Sequence, residues 1–146
     1  MIRSAPLLRI AEPPAQYLAR PPIVVDCSAL AGIVFQEAWL QEAQVRLAGR
    51  TLYAPFILQT EICSVALKKL RQGAVVVANE GLAQWQDFGI ELLRIDIAET
   101  FALAQRYQLS AYDAAYLWLA ADLTCPLATF DEKLAAAAQA HLSSLP

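Results

Sequence analysis

The sequence predicts an α/β protein with a mainly parallel sheet of four or five strands sandwiched between helices. Short apolar runs of strand length alternate with longer helical segments, which is typical of parallel sheets. The length of 146 residues suits one domain with a sizeable core. Hydrophobic residues make up 58% of the chain, above the usual range of about 45–50%. This excess indicates helices buried nearly all round, or an apolar surface that meets a partner.

The first 22 residues are predicted to form an irregular arm ahead of a domain at 23–146. They hold five of the eight prolines and show no clear periodicity. No continuous apolar segment marks a signal peptide there. The arm carries three arginines and one glutamate, so the rest of the chain is acidic within a net charge of −3. That balance argues against a protein that holds nucleic acid mainly by bulk electrostatics.

Four segments of the domain have the length and apolar or β-branched composition of strands: 23–25, 51–55, 90–97 and 125–130. Segments with helical character lie after Ser28 and then at 56–73, 74–88, 98–108, 109–122 and from 131 onward. Pro55 closes the second strand, and Gly73 is a helix stop. The longest apolar run, 114–121, is too short to span a bilayer, which needs about 20 residues, so no membrane association is expected.

Cysteine and histidine usage limits the chemistry. The three cysteines form no C-x-x-C pair, and their apolar neighbours predict buried free thiols in a reducing compartment, which we take to be the cytoplasm: Cys27, Cys63 and Cys125. The single histidine, His141, provides no His-rich zinc site and little support for a histidine-dependent nucleophile.

Four acidic residues are expected near one edge of the sheet. Asp26 ends the first strand and Asp131 follows the fourth, so both lie at the carboxyl ends of strands, where ligands gather in open α/β sheets. Glu61 lies in the first half of its helix among apolar residues, and Asp113 begins a helix directly after a loop. Carboxylates placed close together repel one another unless a cation is present. A hard divalent ion such as Mg²⁺ or Mn²⁺ suits an all-oxygen set of ligands.

Each acid also has an ordinary structural interpretation. Asp26 could simply cap the next helix, and Glu61 could be a helix-surface acid. Ser110 and Asp113 fit a capping box, and Thr129 or Asp131 could cap the last helix. These interpretations require four independent coincidences. Other acids lie where solvated or capping residues are expected and receive no role: Asp87, Asp96, Asp122 and Glu132.

Four segments together resemble the PIN-domain ribonucleases, and most closely the VapC-like toxins of bacterial toxin–antitoxin pairs. In order they are "VVDCSAL", "APFILQTEICSVALKKLRQG", "LSAYDAAYLWLA" and "PLATFDEKLAAAA", and the overall similarity runs from about Ile23 to His141. Each motif is weak alone, but the ordered set is specific. The resemblance implies a flavodoxin-like three-layer α/β/α sandwich and an endoribonuclease dependent on Mg²⁺ or Mn²⁺.

The resemblance also implies the roles of individual residues. It carries over Asp26, Glu61, Asp113 and Asp131 as the catalytic and metal-binding acids. Ser28 and Thr129 carry over as polar supports that orient carboxylates or water. The family usually forms homodimers and is held in check by a cognate antitoxin docked beside the active site. Two departures are the long arm and the ending "LSSLP", which is poor strand material, so a final edge strand is expected to be short or missing.

Contacts with RNA are less well marked in the sequence. A basic strip of Lys68, Lys69 and Arg71 could steer the RNA backbone, although a solvated helix end is the more usual explanation of such a charge run. Tyr112 or Tyr116 could stack on a base, although Tyr116 also suits the core.

Two rival functions remain open. One is phosphoryl transfer through an aspartyl-phosphate at Asp26. Against it, the first strand lacks the second aspartate of a D-x-D motif, and no lysine stands directly at the end of a later strand, as a receiver domain requires. The other is a non-catalytic PIN-like interaction module, which the complete set of four acids disfavours.

Overall fold

A computed structural model describes residues 5–13, 20–36 and 40–146. Within these ranges five strands form one sheet in the order β1-β5-β2-β3-β4. Their bounds are β1 (Arg9–Ala11), β2 (Pro22–Val25), β3 (Thr51–Pro55), β4 (Glu91–Leu93) and β5 (Leu127–Thr129). Strands β2 to β5 pair in parallel, whereas β1 runs antiparallel to β5. The predicted mainly parallel sheet is therefore confirmed.

Seven α-helices in the described ranges connect and cover the strands: α1 (Cys27–Val34), α2 (Leu40–Leu47), α3 (Ile57–Arg71), α4 (Val75–Trp85), α5 (Ile97–Tyr107), α6 (Ala111–Asp122) and α7 (Glu132–Leu142). A 3₁₀ turn, Gln86–Phe88, extends α4. Gly73 has a φ of 82°, in the left-handed region that glycine adopts without strain, and so ends α3 as predicted.

The core lies on both faces of the sheet. Val24 packs with Leu117 and Leu134 in one buried cluster, whereas its neighbours Ile23 and Val25 pack in another. Successive side chains of a strand point to opposite faces, so β2 is covered on both sides, as expected for a central parallel strand. This arrangement confirms the three-layer α/β/α sandwich.

The prediction of an irregular N-terminal arm is wrong for residues 9–11. They form β1, which pairs with β5 from Arg9 opposite Thr129 to Ala11 opposite Leu127. Leu8 and Ala11 are buried in the core. The sequence gives no sign of this strand, because three residues are too few for a periodic pattern and pairing with β5 decides their conformation. The arm residues 1–4 and 14–19 lie outside the described ranges.

No strand follows α7 in residues 143–146, in line with the expectation drawn from "LSSLP". The three cysteines are free, and Cys125 is buried as predicted, but Cys27 is only partly buried and Cys63 is exposed, so the predicted burial is wrong for Cys63. It lies on the outer side of α3, whose buried side comprises Leu58, Ile62 and Ala66. No helix among the described residues is both long and apolar enough to cross a bilayer.

Candidate active site

Asp26 lies directly after β2 and caps the N-terminus of α1. Its Oδ1 accepts hydrogen bonds from the backbone N–H of Ala29 at 2.9 Å and from Oγ of Ser28 at 2.7 Å. Its Oδ2 accepts a hydrogen bond from Oγ1 of Thr129. The side chain is only 5% exposed. Asp26 is therefore held in one orientation at the carboxyl edge of the sheet.

The two hydroxyl groups that contact Asp26 also connect it to the loop after β5. Oγ of Ser28 accepts from the backbone N–H of Phe130, and Oγ1 of Thr129 accepts from that of Asp131, both at 2.9 Å. A hydroxyl has one proton to donate. Because Ser28 and Thr129 both give theirs to Asp26, the ionised form of this carboxylate matches the network best. These are the contacts expected of polar supports, and the supporting role itself stays a prediction.

Glu61 lies on α3 with its side chain half-buried beside α6. The hydroxyl of Tyr116 donates a hydrogen bond of 2.7 Å to Oε1 of Glu61. Tyr116 is fully buried in the core, so its hydroxyl holds one oxygen of the Glu61 carboxylate from the core side. Glu61 is therefore not an ordinary solvated helix acid.

Asp113 and Asp131 lie at the N-termini of two helices. Oγ of Ser110 caps α6 by accepting from the backbone N–H of Asp113 at 3.1 Å. Oδ1 of Asp131 caps α7 by accepting from the backbone N–H of Leu134 at 2.7 Å. The capping interpretation thus holds for the backbone geometry at these positions, and it is compatible with a further role for the carboxylates.

The electrostatics link the four acids to one another. Burial raises the pKa of Asp26 from 3.8 to about 6, against the lowering effect of its hydrogen bonds, and the charge of Asp113 adds to the rise. The pKa of Glu61 is raised by burial and then by Asp113. The pKa of Asp113 is raised by burial and then by Asp131, while Lys133 lowers it. Asp113 therefore interacts with each of the other three carboxylates.

A family model of the PIN domain matches residues 23–140 of the sequence. The chain belongs to the PIN-domain family. This range covers β2 to α7 and includes all four acids, so the predicted resemblance is confirmed.

The curated relatives of this PIN domain include VapC proteins of mycobacteria. The "VapC ribonuclease Mb0985" of Mycobacterium bovis is 32% identical to it over 124 residues, which cover 82% of this chain and 93% of the relative. The "Ribonuclease VapC9" of Mycobacterium tuberculosis matches with the same identity and the same coverage.

The ligand chemistry of this PIN domain suits a hard cation, although the acids do not close around one point. Within the described ranges, no three His, Cys, Asp or Glu side chains are arranged so that they could hold a metal ion together. Mg²⁺ usually keeps several waters and binds to proteins through one or two carboxylates. Asp113 and the three carboxylates that interact with it therefore fit a hydrated divalent ion better than a closed cage of protein ligands.

Two residues of the PIN-domain site were missed at the sequence level. Tyr116 is buried in the core, as its sequence position suggests, but its hydroxyl also contacts Glu61, which the sequence does not predict. Lys133 was given no role, yet its charge acts on Asp113. The available signals were the spacing of Tyr116, three residues after Asp113 on one helix, and the position of Lys133, two residues after Asp131.

The basic strip of the PIN domain lies away from these acids. Lys68, Lys69 and Arg71 occupy the last turns of α3, seven to ten residues beyond Glu61. At 1.5 Å per residue, this places them roughly 10–15 Å farther along the helix axis. The structure does not bring them together with the acids, and their contact with RNA stays a prediction.

An apolar groove of about 540 Å³ lies beside the acidic site. Phe56, Leu93, Ile97 and Tyr112 are among its lining residues, and Arg94 supplies a charge. A second cavity of about 370 Å³ contains Glu61 and shares Ile57 and Tyr112 with the groove. These two residues therefore lie between the acidic site and an apolar surface.

Proposed function

We propose that this PIN domain is a metal-dependent endoribonuclease and the toxin of a toxin–antitoxin pair. The observation that carries the proposal is the position of Asp26 and Asp131 just after the neighbouring strands β2 and β5, with Asp113 near enough for its charge to interact with both and with Glu61. Such coupling is costly without a cation, so it indicates a site built to receive one. The mycobacterial relatives named VapC ribonucleases provide the substrate class.

The divalent ion would be held by Asp26, Asp113 and Asp131, some of them through its bound waters, and Glu61 would complete the shell or help to deprotonate the attacking water. Mg²⁺ or Mn²⁺ bound there would lower the pKa of water and stabilise the negative charge that develops on the phosphate. Asp26 is already fixed by three donors, so it does not have to be ordered when the ion binds. This preorganisation reduces the entropic cost of forming the complex.

Glu61 is suited to accept the proton of the attacking water. Its pKa is raised by burial, which makes it a stronger base nearer to neutral pH. Because Oε1 of Glu61 accepts the hydroxyl of Tyr116, Oε2 is the oxygen left to take a proton. Tyr116 thereby determines which oxygen of Glu61 faces the reaction.

We also propose a homodimer and binding by a cognate antitoxin in the cytoplasm. Exposed apolar side chains surround the groove, with Ile97 81% and Phe101 62% exposed. An apolar surface of this kind typically marks a protein interface. Because PIN-domain toxins usually form homodimers, we propose that a second copy of the chain covers this apolar surface. The antitoxin would dock beside the acids.

The aspartyl-phosphate alternative is disfavoured by the environment of Asp26. Both of its oxygens accept hydrogen bonds, and the side chain is almost fully buried. Hydrogen bonds from three donors weaken this carboxylate as a nucleophile toward a phosphoryl group, whereas the lone pair left on Oδ2 is enough to contact a metal ion or its water. The non-catalytic interaction module is the outcome to infer if no cleavage is found.

The test is RNA cleavage by purified protein freed of any partner, with Mg²⁺ and then with EDTA. We expect Mg²⁺-dependent cleavage that Asp113→Asn abolishes and Asp122→Asn retains, since Asp122 lies exposed at the opposite end of the same helix. Attack by water leaves linear phosphate ends, whereas attack by the ribose 2′-hydroxyl would leave 2′,3′-cyclic phosphates. No cleavage with any divalent ion would favour the interaction module.

A further inference from the structure

Strand β1 lies outside the part of the chain that matches the PIN-domain model. The match covers residues 23–140, whereas β1 is formed by Arg9–Ala11. It nevertheless occupies the edge of the sheet next to β5, the strand that ends at Thr129. A segment of the N-terminal arm is therefore built into the side of the sheet that carries part of the acidic site.

The pairing of β1 with β5 reaches the residue that contacts Asp26. Arg9 is opposite Thr129 in the antiparallel ladder, and Ala11 is opposite Leu127. On its other side, β5 pairs in parallel with β2, and the N–H of Asp26 donates to the carbonyl of Ala128 at 3.2 Å. Because β1 flanks β5, Thr129 lies in an interior strand instead of at an exposed edge.

Side chains anchor β1 in both layers that cover the sheet. Leu8, just before the strand, is buried with Ile23, Val25 and Ala128 on one face. Ala11 is buried in the cluster on the other face. Nη2 of Arg9 contacts Oε1 of Glu132 at 3.0 Å, directly beside Asp131 at the start of α7. Strand β1 therefore pairs with β5, and through Arg9 it contacts the N-terminal turn of α7.

We propose that β1 is a positioning element of the acidic site, acting through Leu8 and Arg9. Packing of Leu8 holds β1 against β5 and so holds Thr129 against Asp26. The pair between Arg9 and Glu132 restrains the first turn of α7, where Asp131 lies. The inference rests on the metal site of the proposed function, and only its effect on cleavage rests also on the proposed nuclease activity.

The first experiment compares Leu8→Asp with Leu7→Asp in the full chain. Both introduce the same charge, but Leu8 is buried and Leu7 is 64% exposed. Hydrogen exchange of residues 125–131 reports whether β1 is displaced, and the electron paramagnetic resonance signal of free Mn²⁺ reports metal binding. We expect Leu8→Asp to raise exchange in this segment and to weaken Mn²⁺ binding at least fivefold. Leu7→Asp should change neither.

RNA cleavage as a function of Mn²⁺ concentration separates positioning from stability. A merely structural role lowers the fraction of folded protein and weakens apparent Mn²⁺ binding only in proportion to that fraction, which circular dichroism measures in the same samples. A positioning role moves half-saturation at least fivefold in Leu8→Asp. If the wild type cleaves no RNA, the nuclease proposal fails, while the Mn²⁺ binding data still decide on the role of β1.

A second set of variants covers the case in which Leu8→Asp does not fold. Arg9→Glu sets two glutamates against each other at an exposed site, and Arg9→Glu with Glu132→Arg restores an opposite pair. We expect Arg9→Glu to weaken Mn²⁺ binding about threefold and the double variant to recover at least half of this loss. Unchanged Mn²⁺ affinity in Arg9→Glu, or in a folded Leu8→Asp protein with raised exchange, would overturn the proposal.

Discussion

The hydroxyl of Tyr116 donates a hydrogen bond of 2.7 Å to Oε1 of Glu61 and so joins the central helix α6 to the carboxylate on α3. Tyr116 is buried and Glu61 half-buried, so solvent competes weakly for this bond. The hydrogen bond lowers the pKa of Glu61 against the upward effect of burial. Tyr116 therefore adjusts both the orientation and the basicity of the proposed proton acceptor.

Tyr116→Phe should keep the fold and slow RNA cleavage. The hydrogen bond holds the Glu61 carboxylate in one orientation, and misplacement of a reacting group costs up to about a hundredfold in rate, so we expect a loss of about tenfold. Without the hydroxyl the pKa of Glu61 rises, so the acid limb of the pH–rate profile should move to higher pH. Tyr112→Phe is the matched control, because Tyr112 is exposed. An unchanged profile in Tyr116→Phe would contradict this role.

Asp26 should make stability depend on pH when metal is absent. Its pKa is raised from 3.8 to about 6, so the folded state binds the proton more tightly than the unfolded state. The protonated carboxyl group therefore stabilises the folded state below pH 4, and this stabilisation is lost as pH rises through 6. The free energy of unfolding should fall by about 3 kcal/mol over this range. Urea unfolding in EDTA measures this free energy. Between pH 4 and 7 it should decrease less in Asp26→Asn than in the wild type. Equal decreases would show that Asp26 does not titrate in this range.

Lys133 should matter more for cleavage than the basic strip on α3. The charge of Lys133 lowers the pKa of Asp113, so Lys133→Ala should raise that pKa. The acid limb of the pH–rate profile should then move to higher pH. Exposed ion pairs contribute up to about 1 kcal/mol, so we expect a loss of about two- to fivefold near neutral pH. Lys68→Ala is the control, and a larger loss there would place the RNA path along the end of α3.

The apolar face beside the groove should mediate dimerisation. Ile97→Asp places a charge at an apolar position that is 81% exposed in the single chain, and we expect it to shift the protein to monomer in analytical ultracentrifugation. Val45→Asp is the control, since Val45 is exposed to a similar degree on α2. A dimer that persists in Ile97→Asp would exclude this face as the interface.

The positions of Asp26 and Asp131 at one edge were predictable, because parallel strands bring their carboxyl ends together. The same patterns located α3 and α6, and with them Glu61 and Asp113. The contact between Tyr116 and Glu61 was not predictable, because it depends on how α3 and α6 pack across 55 residues of sequence. Strand β1 was missed for a similar reason: its three residues gain a defined conformation only from pairing with β5.

The most direct test measures Mn²⁺ binding and RNA cleavage in the same samples of wild type, Asp26→Asn, Asp113→Asn and Asp122→Asn. We expect the first two variants to lose both activities together while remaining folded, and Asp122→Asn to behave as the wild type. That result would assign one metal-dependent ribonuclease site to the acidic edge of the sheet. RNA cleavage that persists in EDTA, or in Asp113→Asn at the wild-type rate, would contradict the account.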